Sequence, residues 1–195
     1  MTPFIIRRAV MADLPVLNEL VIEAVQHLNV RDYSQAQIDS ALRYAYGIDT
    51  QLIHDGTYFV AEMNGRIVGC GGWSKRQSMV GGDKAKQSPA DDNLLDPRVD
   101  PAKIRAFFVH PDHSRQGIGR ALMGVAEMAA RQAGFTQLEL MATRTGEPLY
   151  AAVGFAVQER FDAVMPDGTP FPLARMTKAI EMGGGVLDTA VSQPA

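Results

Sequence analysis

The sequence contains very little cysteine: Cys70 is the single one among 195 residues. One thiol cannot form an intramolecular disulfide, and it excludes zinc sites that need several cysteines. No apolar run is long enough to cross a bilayer. At the start of the chain, Arg7 and Arg8 follow a short apolar group instead of preceding a longer one, which is unlike a secretory signal. We therefore predict a cytoplasmic protein with no membrane partner.

The sequence also lacks an excess of positive charge. It has 19 Lys and Arg against 22 Asp and Glu, for a net charge of -3. Because dedicated nucleic-acid-binding proteins usually carry a basic excess, we predict no nucleic-acid partner. Apolar residues make up 46% of the chain and charged residues 21%, which is typical of a globular protein. The length predicts a single domain over residues 1–180, followed by a mobile tail at 181–195.

The apolar pattern predicts strands that alternate with helices. Strands are predicted at 4–8, 57–62, 66–73, 104–109, 137–141, 155–161 and 172–178, and helices at 13–28, 34–46, 117–133 and 148–153. Asp13 is predicted to cap the first helix, and Asn64-Gly65 predicts a tight hairpin between two strands. This order mixes hairpins with strand-helix-strand crossovers. It predicts an α/β (α+β) fold with a mixed central sheet of about seven strands and helices on both faces.

One segment, at about 75–100, interrupts this rhythm. It is polar and contains prolines, a glycine pair and several aspartates. A structureless stretch of that length is uncommon in a compact domain. Two interpretations remain open, an active-site flap and a disordered insertion, and Leu94-Leu95 offers an anchor for its far end.

A candidate anion site lies where the strand at 104–109 leads through a loop into the helix at Gly117. The first turn of a helix presents unpaired N–H groups and partial positive charge, and glycine allows a large anion to approach closely. Residues 101–131 include five basic and two acidic side chains, a local charge of +3 in an acidic chain. Neither a P-loop nor the dinucleotide fingerprint is present, since Leu122 occupies the place of the third glycine. A Gly-x-Gly alone also fits a tight loop before a helix.

The residues around this loop resemble a known family. Ser114-Arg115-Gln116-Gly117-Ile118-Gly119, after Val109-His110-Pro111, is similar to the acetyl-CoA-binding motif of the GNAT N-acetyltransferase superfamily, Arg/Gln-x-x-Gly-x-Gly/Ala. Ser114 stands where the family usually has Arg or Gln. Three further segments resemble the family's opening strand and helix, its central hairpin and its late Tyr-x-x-x-Gly-Phe element; they are residues 6–15, 65–69 and 149–155. The insertion and the tail are not covered.

The resemblance implies an acetyl-CoA-dependent N-acetyltransferase that moves an acetyl group to a primary amine by direct attack. It implies that Tyr150 is the general acid, because the leaving CoA thiolate needs a proton. The implied cofactor-binding residues are Phe108 and Val109 for the pantetheine arm, and Arg115, Gln116, Gly117, Ile118, Gly119 and Arg120 for the pyrophosphate. The acceptor would be a small amine or a peptide lysine, and a homodimer is possible. The alternatives are an idle CoA-binding sensor and a partner-binding protein that has lost its cofactor.

Several other residues have two interpretations. Glu62, Glu139 and His110 are candidate general bases, although each also fits a structural role. His113 is either a phosphate contact or a loop residue. Tyr33, Tyr44 and Tyr46 fit the family's acceptor pocket or plain packing. Cys70 has no basic neighbour within two positions, so we predict a buried inert thiol rather than a covalent nucleophile, and no metal site is predicted.

Overall fold

Seven strands form one mixed sheet in a computed structural model that describes residues 3–79, 82–85 and 93–181. The strands are β1 (Ile5–Arg8), β2 (Tyr58–Met63), β3 (Arg66–Ser74), β4 (Ala102–Val109), β5 (Gln137–Thr143), β6 (Ala156–Val164) and β7 (Pro170–Ala179). Their order in the sheet is β1-β2-β3-β4-β5-β7-β6. Only β4 and β5 pair in parallel among these neighbours. The predicted fold class is confirmed.

Helices cover both faces of this sheet. They are α1 (Leu14–Leu28), α2 (Gln35–Tyr44), α3 (Thr50–His54), α4 (Ile118–Gln132) and α5 (Glu147–Ala152). Successive side chains of β2 alternate between two buried clusters, as the pleat requires. Phe59 packs in the cluster that contains Leu122 of α4, and Val60 packs in the cluster that contains Leu17 of α1. The sheet is therefore buried on both sides, as predicted.

The predicted hairpin turn is confirmed by the structure, and a side-chain cap begins α2. Asn64 and Gly65 have φ values of 52° and 73°, so both central residues of the hairpin lie in the left-handed region that such a turn requires. The Ser34 hydroxyl accepts a hydrogen bond from the backbone N–H of Gln37 and caps α2. These local interactions lie at the turn between β2 and β3 and at the start of α2.

The predicted cap at Asp13 is wrong, and one helix was not predicted. The Asp13 carboxylate makes no cap to α1; it accepts from the backbone N–H of Val10 and from the guanidinium of Arg7. Arg7 of β1, six positions earlier in the chain, therefore binds this carboxylate in place of the backbone N–H groups at the start of α1. Helix α3 has only five residues, which is too short for a recognisable apolar period.

The sheet is nearly divided between β4 and β5. These strands pair only at Ala102 with Leu138 and at Lys103 with Glu139. Beyond these two pairs, β4 continues beside β3 alone and β5 continues beside β7 alone. A wedge-shaped gap, which we call the wedge, therefore opens between β4 and β5 toward their carboxyl ends.

The described parts of the insertion pack against the body of the domain. Residues 75–77 lie antiparallel to residues 93–95 through two backbone hydrogen bonds of 3.0 and 2.8 Å. Leu95 packs on the core, whereas Leu94 is 64% exposed. Asp83 accepts hydrogen bonds at 3.0 Å from the backbone and hydroxyl of a threonine at the start of α3. Residues 80–81, 86–92 and the tail beyond 181 lie outside the described residues.

No helix in the described ranges has both the length and the apolar character needed to cross a membrane.

Candidate active site

Strand β4 contains one residue more than the stretch of β3 beside it. Cys70 lies opposite Phe108 and Gly72 lies opposite Arg105, so two steps along β3 face three steps along β4. The extra residue forms a β-bulge at Ala106, which has a φ of 55°. An alanine in this left-handed region costs about 1–2 kcal/mol. A bulge bends its strand, and this one lies beyond the point where β4 has separated from β5.

A tyrosine from β2 contacts the bulge across β3. The Tyr58 hydroxyl donates to the carbonyl oxygen of Ala106 at 2.7 Å, and Tyr58 is fully buried. Burial raises the pKa of Tyr58 well above its ordinary value, so the phenol stays protonated as a donor. The ring crosses β3 at Gly72, where a Cβ atom would lie 2.8 Å from Cδ2 of the tyrosine. The missing side chain at Gly72 therefore makes room for Tyr58 and for the backbone carbonyl of Thr57, whose oxygen would lie 2.3 Å from the Cβ atom.

The residues on either side of the bulge are also held in place. The buried guanidinium of Arg105 donates to the carbonyl oxygen of Ser78 at 2.8 Å and lies 3.3 Å from the carboxylate of Asp49. The ring of Phe107 covers Gly71, where a Cβ atom would lie 2.7 Å from the ring. The side chains of β4 on either side of the bulge are thus held by contacts with Ser78, Asp49 and Gly71, all of which lie outside β4.

Helix α4 begins at a left-handed glycine. Gly117 has a φ of 85° and Arg115 a φ of 63°, which turns the chain sharply between β4 and α4. The N–H groups in the first turn of a helix have no intrahelical partners, and the helix dipole adds partial positive charge. A Cβ atom at Gly117 would meet nothing within 4 Å, so the space beside this residue is open. These features fit a phosphate group.

The first turn of α4 lies at the open end of the wedge. A Cβ atom at Gly119 would lie 3.0 Å from Leu149 in α5 and 3.9 Å from Val109 at the end of β4. The guanidinium of Arg120 donates to the carbonyl oxygen of Ala152 at 3.3 Å. The start of α4 therefore contacts both the end of β4 and the helix that follows β5.

The remaining residues of the predicted cofactor site differ in what they expose. Ile118 is buried, so only its backbone N–H is available to a ligand. The Gln116 side chain donates to a backbone carbonyl of its own loop at 3.4 Å, and the Arg115 side chain is exposed. The rings of His113 and His110 lie 5.6 Å apart. The exposed arginine and the backbone N–H groups are the positive features that a pyrophosphate would meet.

Tyr150 lies on α5 and packs beside Phe107, the residue that follows the bulge. Its ring contacts Phe107 and Phe155 edge-on, at centroid distances of 6.4 and 6.0 Å. Its hydroxyl has no hydrogen-bond partner among the described residues. Burial raises the pKa of Tyr150 above its ordinary value, so the phenol carries its proton at neutral pH. The structure thus brings together the bulge, the start of α4 and a protonated phenol.

The sequence profile of the acetyltransferase (GNAT) family matches residues 22–155, more than half of the chain. The chain belongs to the GNAT family. This membership confirms the predicted class, an acetyl-CoA-dependent N-acetyltransferase, and acetyl-CoA as its cosubstrate. No protein of curated function matches the sequence significantly.

Three solved structures share the fold at low sequence identity. A GCN5-related N-acetyltransferase from Rhodopseudomonas palustris has a TM-score of 0.67 at 20% identity, covering 92% of this chain and 96% of that chain. PaiA N-acetyltransferase from Thermoplasma acidophilum, in complex with coenzyme A, has a TM-score of 0.60 at 17% identity, with coverages of 91% and 99%. YncA from Salmonella typhimurium, with its cofactor acetyl-CoA, has a TM-score of 0.58 at 20% identity, with coverages of 93% and 96%. These likenesses identify the fold.

The two carboxylates considered as bases of this GNAT domain both form ion pairs. Glu62 accepts from the guanidinium of Arg7 at 2.9 Å, at the outer edge of the sheet. Glu139 lies at the closed end of the wedge, paired with Lys103 and with Arg175, the latter at 3.1 Å. Burial alone would raise the pKa of Glu139, but hydrogen bonds from both cations outweigh it and lower the pKa. Both carboxylates are thus held in structural contacts.

His110, the third candidate base, is engaged at both ring nitrogens. Nε2 lies 2.9 Å from the carboxylate of Glu23 in α1, and Nδ1 accepts from the backbone N–H of Asp112 at 3.2 Å. Because Nδ1 accepts, Nε2 carries the proton in this arrangement. The imidazole thus links the end of β4 to α1.

Two of the three tyrosines in the predicted acceptor region of the GNAT domain, Tyr33 and Tyr46, contact the ring of Phe171 in β7. Tyr33 stacks on Phe171 at 4.4 Å and donates to a backbone carbonyl of β7 at 2.7 Å. Tyr46 contacts Phe108 edge-on at 5.8 Å. Burial raises the pKa of Tyr46, and the nearby hydroxyls of Tyr33 and Tyr150 raise it further. Tyr44 instead lies under a neighbouring arginine at 5.9 Å.

A surface cavity of about 200 Å³ adjoins the loop after β5. Its lining residues belong to that loop, α5 and the β6–β7 hairpin; they are Arg144, Glu147, Arg160, Phe161, Asp162, Pro172, Leu173 and Ala174. The backbone N–H of Arg144 donates to the Tyr33 hydroxyl at 2.8 Å, which connects the cavity wall to the tyrosines.

Cys70 is fully buried in β3. Burial raises the pKa of its thiol to about 12, so the reactive thiolate is absent at neutral pH. This agrees with the predicted inert thiol. The part of the chain that is described contains no group of three His, Cys, Asp or Glu side chains suited to a metal ion.

Proposed function

We propose that this GNAT enzyme transfers the acetyl group to a primary amine by direct attack, with Tyr150 as the general acid. The observation that carries this proposal is the wedge. The bulged strand β4 forms one side, the start of α4 lies at its open end, and the ring of Tyr150 contacts Phe107, the residue after the bulge. In this arrangement, the anionic end of an extended donor would lie at the start of α4, and its acylated end would lie beside Tyr150.

The donor would be held mainly by backbone groups. The N–H groups of residues 116–120 and the Arg115 side chain would hold the pyrophosphate at the start of α4. Phe108 and Val109 lie where β4 has lost β5 as a neighbour, so their backbone is the proposed partner of the pantetheine amides. This pairing would resemble the addition of a short strand to a sheet edge. Ser114 is not required, because backbone groups carry the contact.

The proposed chemistry needs one proton donor inside the site. The neutral amine attacks the thioester carbonyl and forms the C–N bond, the C–S bond breaks, and the phenol of Tyr150 gives its proton to the thiolate. The attacking nitrogen loses one proton, which restores the phenol of Tyr150 directly or through water. Burial keeps the proton on Tyr150 until then, and an apolar site also raises the basicity of the thiolate that receives it. Cys70 takes no part, because its thiol is buried and protonated.

A CoA-binding sensor is the second candidate function. It is favoured by one observation: Glu62, Glu139 and His110 all have structural partners. For the transferase, we propose that the acceptor amine loses its proton to water before attack, without a base from these three residues. The acceptor class, a small amine or a peptide lysine, and the single-domain limits at 1–180 remain part of the proposal.

The test is acetyl-CoA turnover with a panel of amines, followed as release of free CoA thiol. The panel spans polyamines, aminoglycosides, amino acids and lysine peptides. We expect amine-dependent release, and Tyr150→Phe should lower kcat about 100-fold. Thr57→Val is the matched control, because it removes a buried hydroxyl that donates to a backbone carbonyl away from the wedge.

Thermal melting with CoA separates the alternatives. A ligand that binds the native state raises the melting temperature. A rise without turnover of any amine would favour the sensor. An unchanged melting temperature would contradict the anion site at α4, and with it both candidate functions.

A further inference from the structure

We propose that Tyr58 is a positioning residue, which holds the bulge at Ala106 in the form that places the acetyl thioester beside Tyr150. This inference rests on the proposed function, because it concerns the same wedge. Tyr58 itself lies behind the bulge and would not touch the substrate.

The backbone at Ala106 needs external support. Left-handed backbone is unfavourable for alanine and persists only where the surroundings determine it. The Tyr58 hydroxyl is the side-chain donor to the Ala106 carbonyl, at 2.7 Å. Tyr58 has no solvent-exposed surface, so water cannot replace the hydroxyl from the side of the ring.

The glycines of β3 are arranged around this contact. Tyr58 lies opposite Gly72, and Gly72 lies opposite Arg105, so the ring spans β3 from β2 to the bulge. A Cβ atom at Gly72 would lie 2.8 Å from the Tyr58 ring, and one at Gly71 would lie 2.7 Å from the ring of Phe107. Gly71 thus admits the ring of Phe107, and Gly72 admits the ring of Tyr58 together with the backbone carbonyl of Thr57, whose oxygen would lie 2.3 Å from a Cβ atom.

The bulge determines where the following residues of β4 lie. Phe107 contacts Tyr150 edge-on at 6.4 Å, and Phe108 and Val109 are the proposed partners of the pantetheine arm. The pyrophosphate site is a separate element, since it is formed by the start of α4. Loss of the Tyr58 hydroxyl should therefore misplace the thioester without loosening the grip on the pyrophosphate. Misplacement affects kcat, whereas weaker donor binding affects KM.

The kinetic test compares Tyr58→Phe with Thr57→Val. Both variants remove one buried hydroxyl from a backbone carbonyl, but only the first contact reaches the bulge. We expect Tyr58→Phe to lower kcat about tenfold or more, with the KM for acetyl-CoA within about twofold of the original. Thr57→Val should leave both values within about twofold. Equal loss in both variants, or an unchanged kcat in Tyr58→Phe, would overturn the proposal.

A second substitution tests the mechanism by rescue. Glycine adopts left-handed backbone without strain, so Ala106→Gly should need the Tyr58 hydroxyl less. In the Tyr58→Phe background, we expect Ala106→Gly to recover at least about half of the lost factor in kcat on a logarithmic scale. If Tyr58→Phe alone does not fold, folding of the double variant supports the proposal. Failure of both to fold, or no recovery, contradicts it.

A ligand-free measurement keeps this inference separate from the proposed function. Amide hydrogen exchange over residues 105–109 should be about tenfold faster in Tyr58→Phe than in the original protein and unchanged in Thr57→Val. This result needs no turnover. If the original protein acetylates no amine, the proposed function fails, and the exchange rates still decide the role of Tyr58. Unchanged exchange at 105–109 would overturn it.

Discussion

At the scale of single residues, Gly117 before α4 and Gly124 within it separate the effect of backbone strain from that of steric crowding. A Cβ atom at Gly117 or at Gly124 would meet no atom within 4 Å, so neither residue is required for space. They differ only in backbone, because Gly117 has a φ of 85° and Gly124 lies in the regular helix. Alanine should therefore act in opposite directions at the two positions.

We expect Gly117→Ala to lower the free energy of unfolding by about 1 kcal/mol, because alanine is strained in left-handed backbone. Gly124→Ala should raise it by about 0.5–1 kcal/mol, because alanine favours the helix. Urea unfolding measures both. Gly117→Ala should also reduce the CoA-induced rise in melting temperature, while Gly124→Ala should preserve it. The same sign for both substitutions would contradict the assigned backbone at Gly117.

Residue types that favour an unusual backbone made part of the site predictable. Gly117 and the pair Asn64-Gly65 indicate left-handed backbone, and all three residues have positive φ values in the structure. Ala106 gives no sequence signal of the bulge, because alanine disfavours the left-handed conformation that it adopts there. In the proposal above, the bulge is held by the hydroxyl of Tyr58, which is 48 positions away in the chain. A contact between such distant residues leaves no local sequence pattern.

At the scale of elements, Glu139 connects three strands. It lies on β5 and pairs with Lys103 of β4 and Arg175 of β7. The two cations lower its pKa below the ordinary value of 4.5. A carboxylate with a lowered pKa adds stability above its unfolded pKa, and this contribution is lost as the pH falls through the folded value. The closed end of the wedge should therefore loosen in acid.

We expect Glu139→Gln to lower the free energy of unfolding at pH 7 by about 3 kcal/mol, because it leaves the buried Lys103 without its partner. The variant should also lose less stability than the original protein between pH 5 and about pH 3. Urea unfolding across this pH range measures both effects. Glu147→Gln is the control, since Glu147 pairs with the exposed Arg160 and should cost about 1 kcal/mol or less. Equal costs would contradict the role of burial.

Length and period decided which elements were predictable. The two 15-residue helices, α1 and α4, carry a clear apolar face and were predicted. Helix α3 is too short for a period, although Asp49 before it accepts a hydrogen bond from the backbone N–H of Gln51 and gives a cap signal. The separation of β4 from β5 was not predictable, because both strands read as ordinary apolar strands along their whole length.

At the scale of the whole molecule, the lone thiol of Cys70 reports global opening. It is fully buried, and burial raises its pKa to about 12. We expect it to react with a disulfide reagent about 1,000-fold or more slowly in the native protein than in urea, because reaction requires opened molecules. Absorbance of the released thiolate measures the rate. Rapid labelling without denaturant would contradict the burial of β3.

The wedge has a consequence for how the chain is assembled. Strands β1–β4 with helices α1–α4 come from one continuous stretch of chain, and β5–β7 with α5 come from the next. In the described sheet, strand pairing joins the two stretches at only two residue pairs. The two stretches are also joined by the short loop at 133–136 and by a shared core, in which Leu122 of α4 and Met176 of β7 belong to the same buried cluster. A donor lying between β4 and β5 would bridge the two stretches where their strands do not pair. The same backbone groups would then hold the two halves of the sheet together and position the thioester.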